Sequence, residues 1–203
     1  ILSIQDPRER PLSEQKKSDE KHRRFIDEHS DFITLVNLWG YLQEQSRHLT
    51  QNKFRKLCKS DYLSYIRVKE WWDVYKQLKA HCTVAGIRLN DQAGDYHSIH
   101  CALLSGLLAQ IGFKSDDQTY LGARGLKFSV FPGSALFKKS PKWLVAAEIL
   151  ETARVYARTV AKIEPMWIEQ LAPHLVKRSY YDAHWEKRPA QVAAYERVSL
   201  YGL

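Results

Sequence analysis

The chain has 203 residues, enough for one large or two small domains with a buried core, and it carries 31 Lys+Arg against 23 Asp+Glu, a formal net charge of +8. That balance favours an acidic partner, nucleic acid first among them, although a merely basic surface gives the same total. Cys58, Cys82 and Cys101 are scattered, without a CxxC pair, which argues against a disulfide scaffold and fits a reducing cytoplasm; no apolar run reaches the roughly 18 residues of a membrane span.

The apolar start Ile1-Leu2-Ser3-Ile4 is too short for a signal peptide, and a single methionine, Met166, with a first residue Ile1 points to a piece of a longer polypeptide. From about Glu14 to Ala85 the chain is dense in helix formers; Gly40 is its one glycine and no proline follows Pro11. Apolar residues at 32, 35, 36, 39 and 42 share one helical face, with Ser30 and Asp31 as N-cap candidates before it. Phe54, Leu57, Leu63 and Ile66 suggest shorter helices or a turn. A further helix is expected from about Arg67 to Ala85, striped by Val68, Trp71, Trp72, Tyr75 and Leu78. This half reads as a helical bundle. Gly86 to Gly94 is a plausible linker, and another helix is expected from about Tyr96 to Gln110.

Beyond it the pattern changes to strands. Tyr120-Leu121, Lys127 to Phe131 and the long run from Trp143 to Ile163 are separated by Gly122, Gly125, Pro132, Gly133 and Pro141. Alanines and glutamates would let the last run form helix, but Val145, Ile149, Val155, Tyr156, Thr159 and Val160 favour strand. Pro165 to Leu171 reads as a short helix with Pro in its first turn. Several short strands and one helix suit a small barrel of the OB type, so the expected fold class is α+β: a helical bundle followed by an OB-fold. Trp143 and Trp167 are expected in the core.

Few motifs carry chemistry. Asp19-Glu20-Lys21-His22 spells DExH, but Lys16-Lys17-Ser18 before it indicate a solvated helix rather than the end of a buried strand. Gly112-Phe113-Lys114-Ser115 lacks the Gly-Lys pair of a phosphate-binding loop. His81, Cys82, His97, His100 and Cys101 could be grouped as zinc ligands, yet surface histidines and a small buried thiol explain them more simply. No catalytic triad or paired-carboxylate pattern stands out. Arg124 to Phe131 partly matches an RNP1 strand but lacks the surrounding βαββαβ order, although its aromatics could still support a base. Between Lys114 and Lys142 the cations are Lys114, Arg124, Lys127, Lys138, Lys139 and Lys142, against only Asp116 and Asp117. The loop Ser134-Ala135-Leu136-Phe137-Lys138-Lys139-Ser140-Pro141-Lys142-Trp143 sets that charge at the mouth of a strand, where it could hold a phosphate backbone. On charge and position, Arg124, Lys127, Lys138, Lys139, Lys142 and Arg158 are the expected contacts to a nucleic-acid backbone.

Several blocks together resemble DEAH-box RNA helicases of the bacterial HrpA type. Ile4 to Pro11 (IQDPRERP), Phe32 to Leu38 (FITLVNL) and Tyr62 to Arg67 (YLSYIR) resemble the ratchet-like region that follows that family's winged helix. Ile99 to Leu107 (IHCALLSGL), Phe131 to Phe137 (FPGSALF), Pro141-Lys142-Trp143, Glu151 to Arg154 (ETAR) and Ile163 to Trp167 (IEPMW) resemble its OB-fold domain. Arg178 to Lys187 resembles an extension specific to the HrpA type. Phe131 departs from many eukaryotic relatives, which have a basic residue or histidine there.

The resemblance implies an end of a winged helix or linker at 1–13, a ratchet-like domain at 14–94, an OB-fold at 95–176 and the start of an extension at 177–203. It implies an ATP-dependent 3′-to-5′ helicase of the bacterial cytoplasm, whose two RecA-like domains use ATP and Mg²⁺ to pull single-stranded RNA through a channel roofed by the ratchet and OB domains. Those RecA-like domains are not in this sequence. The implied role here is RNA grip and coupling, by a monomer with no catalytic residue, cofactor or metal of its own. Its implied partners are single-stranded RNA and the helicase's own RecA-like and winged-helix domains. A docking module for those domains or for a protein activator, and an unrelated sequence-specific nucleic-acid binder, are the alternatives.

Overall fold

A buried carboxylate organises the helical half. The computed structural model describes residues 5–116, 118–151, 154–186, 188 and 191–200; Ile1 to Ile4, Asp117, Thr152, Ala153 and Lys187, used in the reading above, lie outside them. The chain divides into two compact units, Ile1–Gly94 and Asp95–Leu203. In the first, α1 (Gln15–Arg23), α2 (Asp31–His48), α3 (Gln51–Ser60) and α4 (Tyr65–Val84) follow one another. Ser30 caps α2, its hydroxyl accepting from the Ile33 amide at 3.2 Å. Phe25, Leu35, Leu38, Leu42, Phe54, Cys58, Leu63, Val68 and Trp71 form the core.

Asp61, just past α3, is 3% exposed. Its carboxylate accepts from Tyr41 Oη (2.7 Å) and Arg24 Nη2 (2.5 Å), with Lys21 Nζ at 3.5 Å. The Arg24 guanidinium also lies over the rings of Phe25 and Tyr41. The buried His22 donates from Nε2 to the Asp61 carbonyl at 3.0 Å. Lys21 and His22 of the DExH-like run are thus clasps that fix α1 to the end of α3.

Three expectations for this unit are corrected. Val36 is exposed, and Leu38 takes its place in the core. Tyr75 and Leu78 are also exposed, because α4, at 20 residues or about 30 Å, is twice the length of α3 and outruns the core at Trp71. The expected helix start near Arg67 lies two residues earlier, at Tyr65.

The second unit opens with α5 (Tyr96–Gly106), capped by Asp95 and shorter than expected. Five strands follow: β1 (Ile111–Asp116), β2 (Thr119–Gly122), β3 (Lys127–Val130), β4 (Trp143–Glu151) and β5 (Val155–Lys162). They close a barrel in the order β1-β2-β3-β5-β4, parallel only between β3 and β5. The run from Trp143 to Ile163 is strand, folded into the β4–β5 hairpin. The helix α6 (Pro165–Leu171) packs against α5. Two long strands, β6 (Val176–Glu186) and β7 (Gln191–Leu200), form a separate ribbon with Tyr180, Tyr181, Trp185 and Tyr195 exposed.

Tyr120, Phe128, Val130, Leu136, Leu144, Ala146, Ala157 and Val160 fill the barrel. Phe128 occupies a slot made by two glycines paired across β1 and β2, Gly112 and Gly122. A Cβ on Gly112 would lie 2.4 Å from Phe128 Cζ, and one on Gly122 2.9 Å from Cε1. Absent side chains on one strand pair are what admit the ring.

Trp143 and Trp167 are half-buried, not core: both stand on the outer surface of the barrel unit, against Phe113 and His97 respectively. The surface reading of the α5 histidines is corrected for His100, which is fully buried and stacks on Tyr96 at 3.9 Å, while Cys101 is only half-buried. The buried thiol is Cys58, which burial pushes up to about 11.

Between β2 and β3, Arg124 (φ 59°, ψ 26°) and Gly125 (φ 76°) both adopt left-handed backbone, and the Leu126 amide donates to the Ala123 carbonyl at 3.3 Å. This is the type I′ hairpin geometry, which glycine suits and arginine does not.

Asp61→Ala should destabilise the helical unit by about 2–3 kcal/mol, read from urea unfolding by tryptophan fluorescence, less than for a fully buried pair because Arg24 and Lys21 keep some water. Acid should act on this unit in two steps of defined sign. Burial holds His22 below its ordinary value, so its share of stability is lost first, as pH falls below about 6.5. Burial alone would raise Asp61, but hydrogen bonds and charge from Tyr41 and Arg24 hold it below the usual carboxylate range; its share is present above about 3.9 and is lost below that. His22→Gln should remove the upper step only. Gly112→Ala should cost the barrel about 3 kcal/mol, the upper end for overpacking, and Arg124→Asn should stabilise it by about 0.5–1 kcal/mol, both visible in thermal melts.

Candidate nucleic-acid interface

The direction of each strand decides which cations meet. β3 and β5 run one way and β4 the other, so the connection 131–142 crosses the end of the barrel where β3 finishes and β4 starts. β1 finishes at the same end, because it is antiparallel to β4 and pairs Phe113 with Trp143. Lys114, Lys138, Lys139 and Lys142 therefore share this end. Arg124 and Lys127 belong to the β2–β3 turn at the opposite end, and Arg158 lies on the wall between. The six expected contacts do not form one patch: the fold gathers Lys138, Lys139 and Lys142, adds Lys114, and separates the other three.

The lysine loop is held firmly. Ser134 to Ser140 winds as a tight turn in which Ser134 Oγ accepts from the Leu136 amide (3.1 Å) and the Ser140 amide donates to the Leu136 carbonyl (3.0 Å). Leu136 plugs the barrel core at 1% exposed. Tyr120 Oη donates to the Pro141 carbonyl at 2.7 Å, and burial pushes this phenol up to about 12, so it stays a donor across the physiological range. The Lys114 amide donates to the Lys142 carbonyl at 2.9 Å, tying the loop to β1. With the backbone pinned at both ends, the side chains of Lys138, Lys139 and Lys142 remain exposed. Lys142 Nζ lies 5.9 Å from the Phe113 ring, itself 4.9 Å from Trp143. Cations beside half-buried rings on a rigid loop suit a phosphate backbone whose bases have aromatic surface within reach.

On the barrel wall, Arg158 is exposed on β5 with its guanidinium carbon 4.7 Å from the centroid of the Phe131 ring. Phe131 meets Tyr156 edge to face at 6.0 Å. Of the aromatics in the RNP1-like stretch, Phe128 is buried and only Phe131 faces solvent. Phe131, Tyr156, Phe113 and Lys114 belong to the candidate site by position and were not among the six expected contacts. The alternation of a buried Val130 with Phe131, and of a buried Ala157 between Tyr156 and Arg158, is the local signal that could have found two of them.

Neither of the two runs that resemble nucleotide-site motifs fits an ATP–Mg²⁺ site. Gly112 to Ser115 is strand β1, with Gly112 against Phe128 rather than in a loop open to phosphate. Asp19 and Glu20 stand on helix α1, and Asp19 pairs with Arg10 at 2.6 Å. Among the described residues no group of three or more His, Cys, Asp or Glu is arranged to hold a metal ion, and no helix is long and apolar enough to cross a membrane.

Comparison with known proteins agrees with the barrel fold. Residues 99–175 match the oligonucleotide/oligosaccharide-binding (OB)-fold family model. Over all 203 residues the chain is 54% identical to the ATP-dependent RNA helicase HrpA of Escherichia coli and 52% identical to its homologue in Haemophilus influenzae, and it spans 16% of the length of each. It is 25% identical over 180 residues, 88% of its length, to the probable ATP-dependent RNA helicase DHX35 of Homo sapiens, spanning 25% of that protein. Another relative, from Arabidopsis thaliana, is the pre-mRNA-splicing factor ATP-dependent RNA helicase DEAH10 (23% over 187 residues). The α+β chain, helical unit and OB barrel together, is a homologue over its whole length of one region of the HrpA-type DEAH-box RNA helicases.

Proposed function

We propose that this chain is an accessory RNA-binding region of an ATP-dependent 3′-to-5′ RNA helicase, gripping single-stranded RNA by its backbone and coupling that grip to RecA-like ATPase domains elsewhere in the protein. ATP and Mg²⁺ then belong to those domains, and this chain supplies binding rather than catalysis. The observation that carries the reading is the barrel end at which the pinned 131–142 loop and β1 present Lys114, Lys138, Lys139 and Lys142 together. Backbone contacts of this kind fix a strand without reading its bases, as a helicase acting on many sequences requires.

One observation favours a second reading, a docking module for the helicase's other domains or for a protein activator. The ribbon exposes Trp185 and Tyr180, and α4 exposes Leu78 and Val84, apolar surface of the kind that marks protein contacts.

Fluorescence anisotropy of a labelled single-stranded RNA, titrated with the 203-residue chain at several salt concentrations, separates the two. RNA grip gives binding that weakens steeply with salt and is indifferent to base sequence. The triple variant Lys138/Lys139/Lys142→Ala should then reduce the slope of log K against log salt by about 2, at roughly 0.7 per lost contact to a single strand. No binding at low salt, from a chain shown to be folded by circular dichroism, overturns the RNA reading and leaves the docking module.

A further inference from the structure

Arg158 is the one expected phosphate ligand whose surroundings suit a different task. A phosphate ligand reaches outward on a mobile stem; Arg158 instead has its guanidinium over the Phe131 ring. The ring beneath it is fixed from three sides. The Phe131 amide donates to the Ala157 carbonyl at 3.0 Å, and the Phe131 carbonyl accepts from the Ser134 amide at 3.0 Å. Tyr156 stands perpendicular to the ring. Gly133 lets the loop close on its edge, since a Cβ there would lie 2.9 Å from Phe131 Cε1.

Tyr156 and Arg158 lie two residues apart on β5 and so share a face, the outer one, because Ala157 between them is fully buried. Phe131, next to the buried Val130, lies on that same outer face and is 36% exposed. Glu148 faces Arg158 in register on β4, yet among the described residues no carboxylate forms an ion pair with it. A guanidinium held against a ring keeps its N–H donors near its own plane and offers a flat cationic surface. Nucleobases stack on such a surface as they do on aromatic rings.

We propose that Arg158, Phe131 and Tyr156 form a base-stacking site for single-stranded RNA, in which a base packs on this Arg–aromatic platform while the lysine loop engages the phosphates. The assignment rests on the RNA reading above and gives Arg158 a planar role where charge alone would make it a point contact. Charge and plane are separable, because lysine keeps the first and lacks the second.

The test compares wild-type chain, Arg158→Lys, Arg158→Ala and Phe131→Leu on two probes: a labelled single-stranded RNA and the same length of RNA carrying abasic residues. A stacking site predicts that Arg158→Lys and Arg158→Ala weaken binding of the intact RNA alike, by about tenfold, within what one stacked base contributes. Neither should weaken binding of the abasic RNA. Phe131→Leu should act in the same direction. A 2-aminopurine base in the intact RNA should lose fluorescence on binding wild-type chain and keep it on binding Arg158→Lys, a readout that mere damage to the barrel does not produce. Should Arg158→Lys bind intact RNA as wild type does, or should the losses be equal on intact and abasic RNA, the stacking site is overturned while the RNA grip stands. Should the wild-type chain bind no RNA at all, both fall together.

Discussion

Barrel closure around Phe128 is the constraint on which the rest of the second unit depends. In a closed five-stranded barrel, the position of any one strand follows from the others, so a ring that fits only where two glycines face each other fixes the pairing of β1 with β2. With that register set, Tyr120 on β2 reaches Pro141, Phe113 on β1 faces Trp143, and Leu136 enters the core from the connecting loop. The lysines are held by packing and hydrogen bonds at residues that carry no charge. A grip built this way does not have to order its loop at the moment of binding, a cost that would otherwise be subtracted from affinity.

The helical unit shows the reverse arrangement, with charge buried inside the fold rather than displayed at its surface. Asp61 satisfies its lone pairs with Tyr41 and Arg24, and Arg24 spends the faces of its guanidinium on Phe25 and Tyr41. Arginine stacked on aromatics occurs in both units, but the carboxylate differs. In the first unit Asp61 neutralises the guanidinium at 2.5 Å; on the barrel wall, among the described residues, no carboxylate does so for Arg158. A stacked arginine with its acid is a clasp, and one without is a surface with charge to share. That difference is why the two sites, alike in composition, are given different roles in the proposal.

Much of the fold was legible because it is written in local pattern. The helical stripe of α2, its Ser30 cap, the β-branched run that became the β4–β5 hairpin and the proline-led α6 all depend on residues a few positions apart. The strand β1 was not legible. Ile111-Gly112-Phe113-Lys114 contains a glycine and follows a helix, and its identity as a strand rests on partners eight and thirty residues onward. The glycine slot for Phe128 failed to show for the same reason, since Gly112 and Gly122 read singly as punctuation. At the candidate site, charge counting found every cation but could not sort them. Arg124 and Lys127 lie close in sequence to the others and at the far end of the barrel, because one short strand, β3, carries the chain across.

In the proposed reading, that sorting bears on how a strand could be held and yet move. Lysine contacts to phosphate are matched at every nucleotide, and a guanidinium platform accepts any base by its face. Neither contact examines a base edge, so advancing the strand by one nucleotide replaces each contact with an equivalent one. A site made of hydrogen bonds to base edges would instead hold one register more tightly than its neighbours and resist the step. On this proposal the barrel combines the two kinds of contact whose energy is nearly constant along a strand, and places them on a pinned backbone, so that the strand, not the protein, would do the moving.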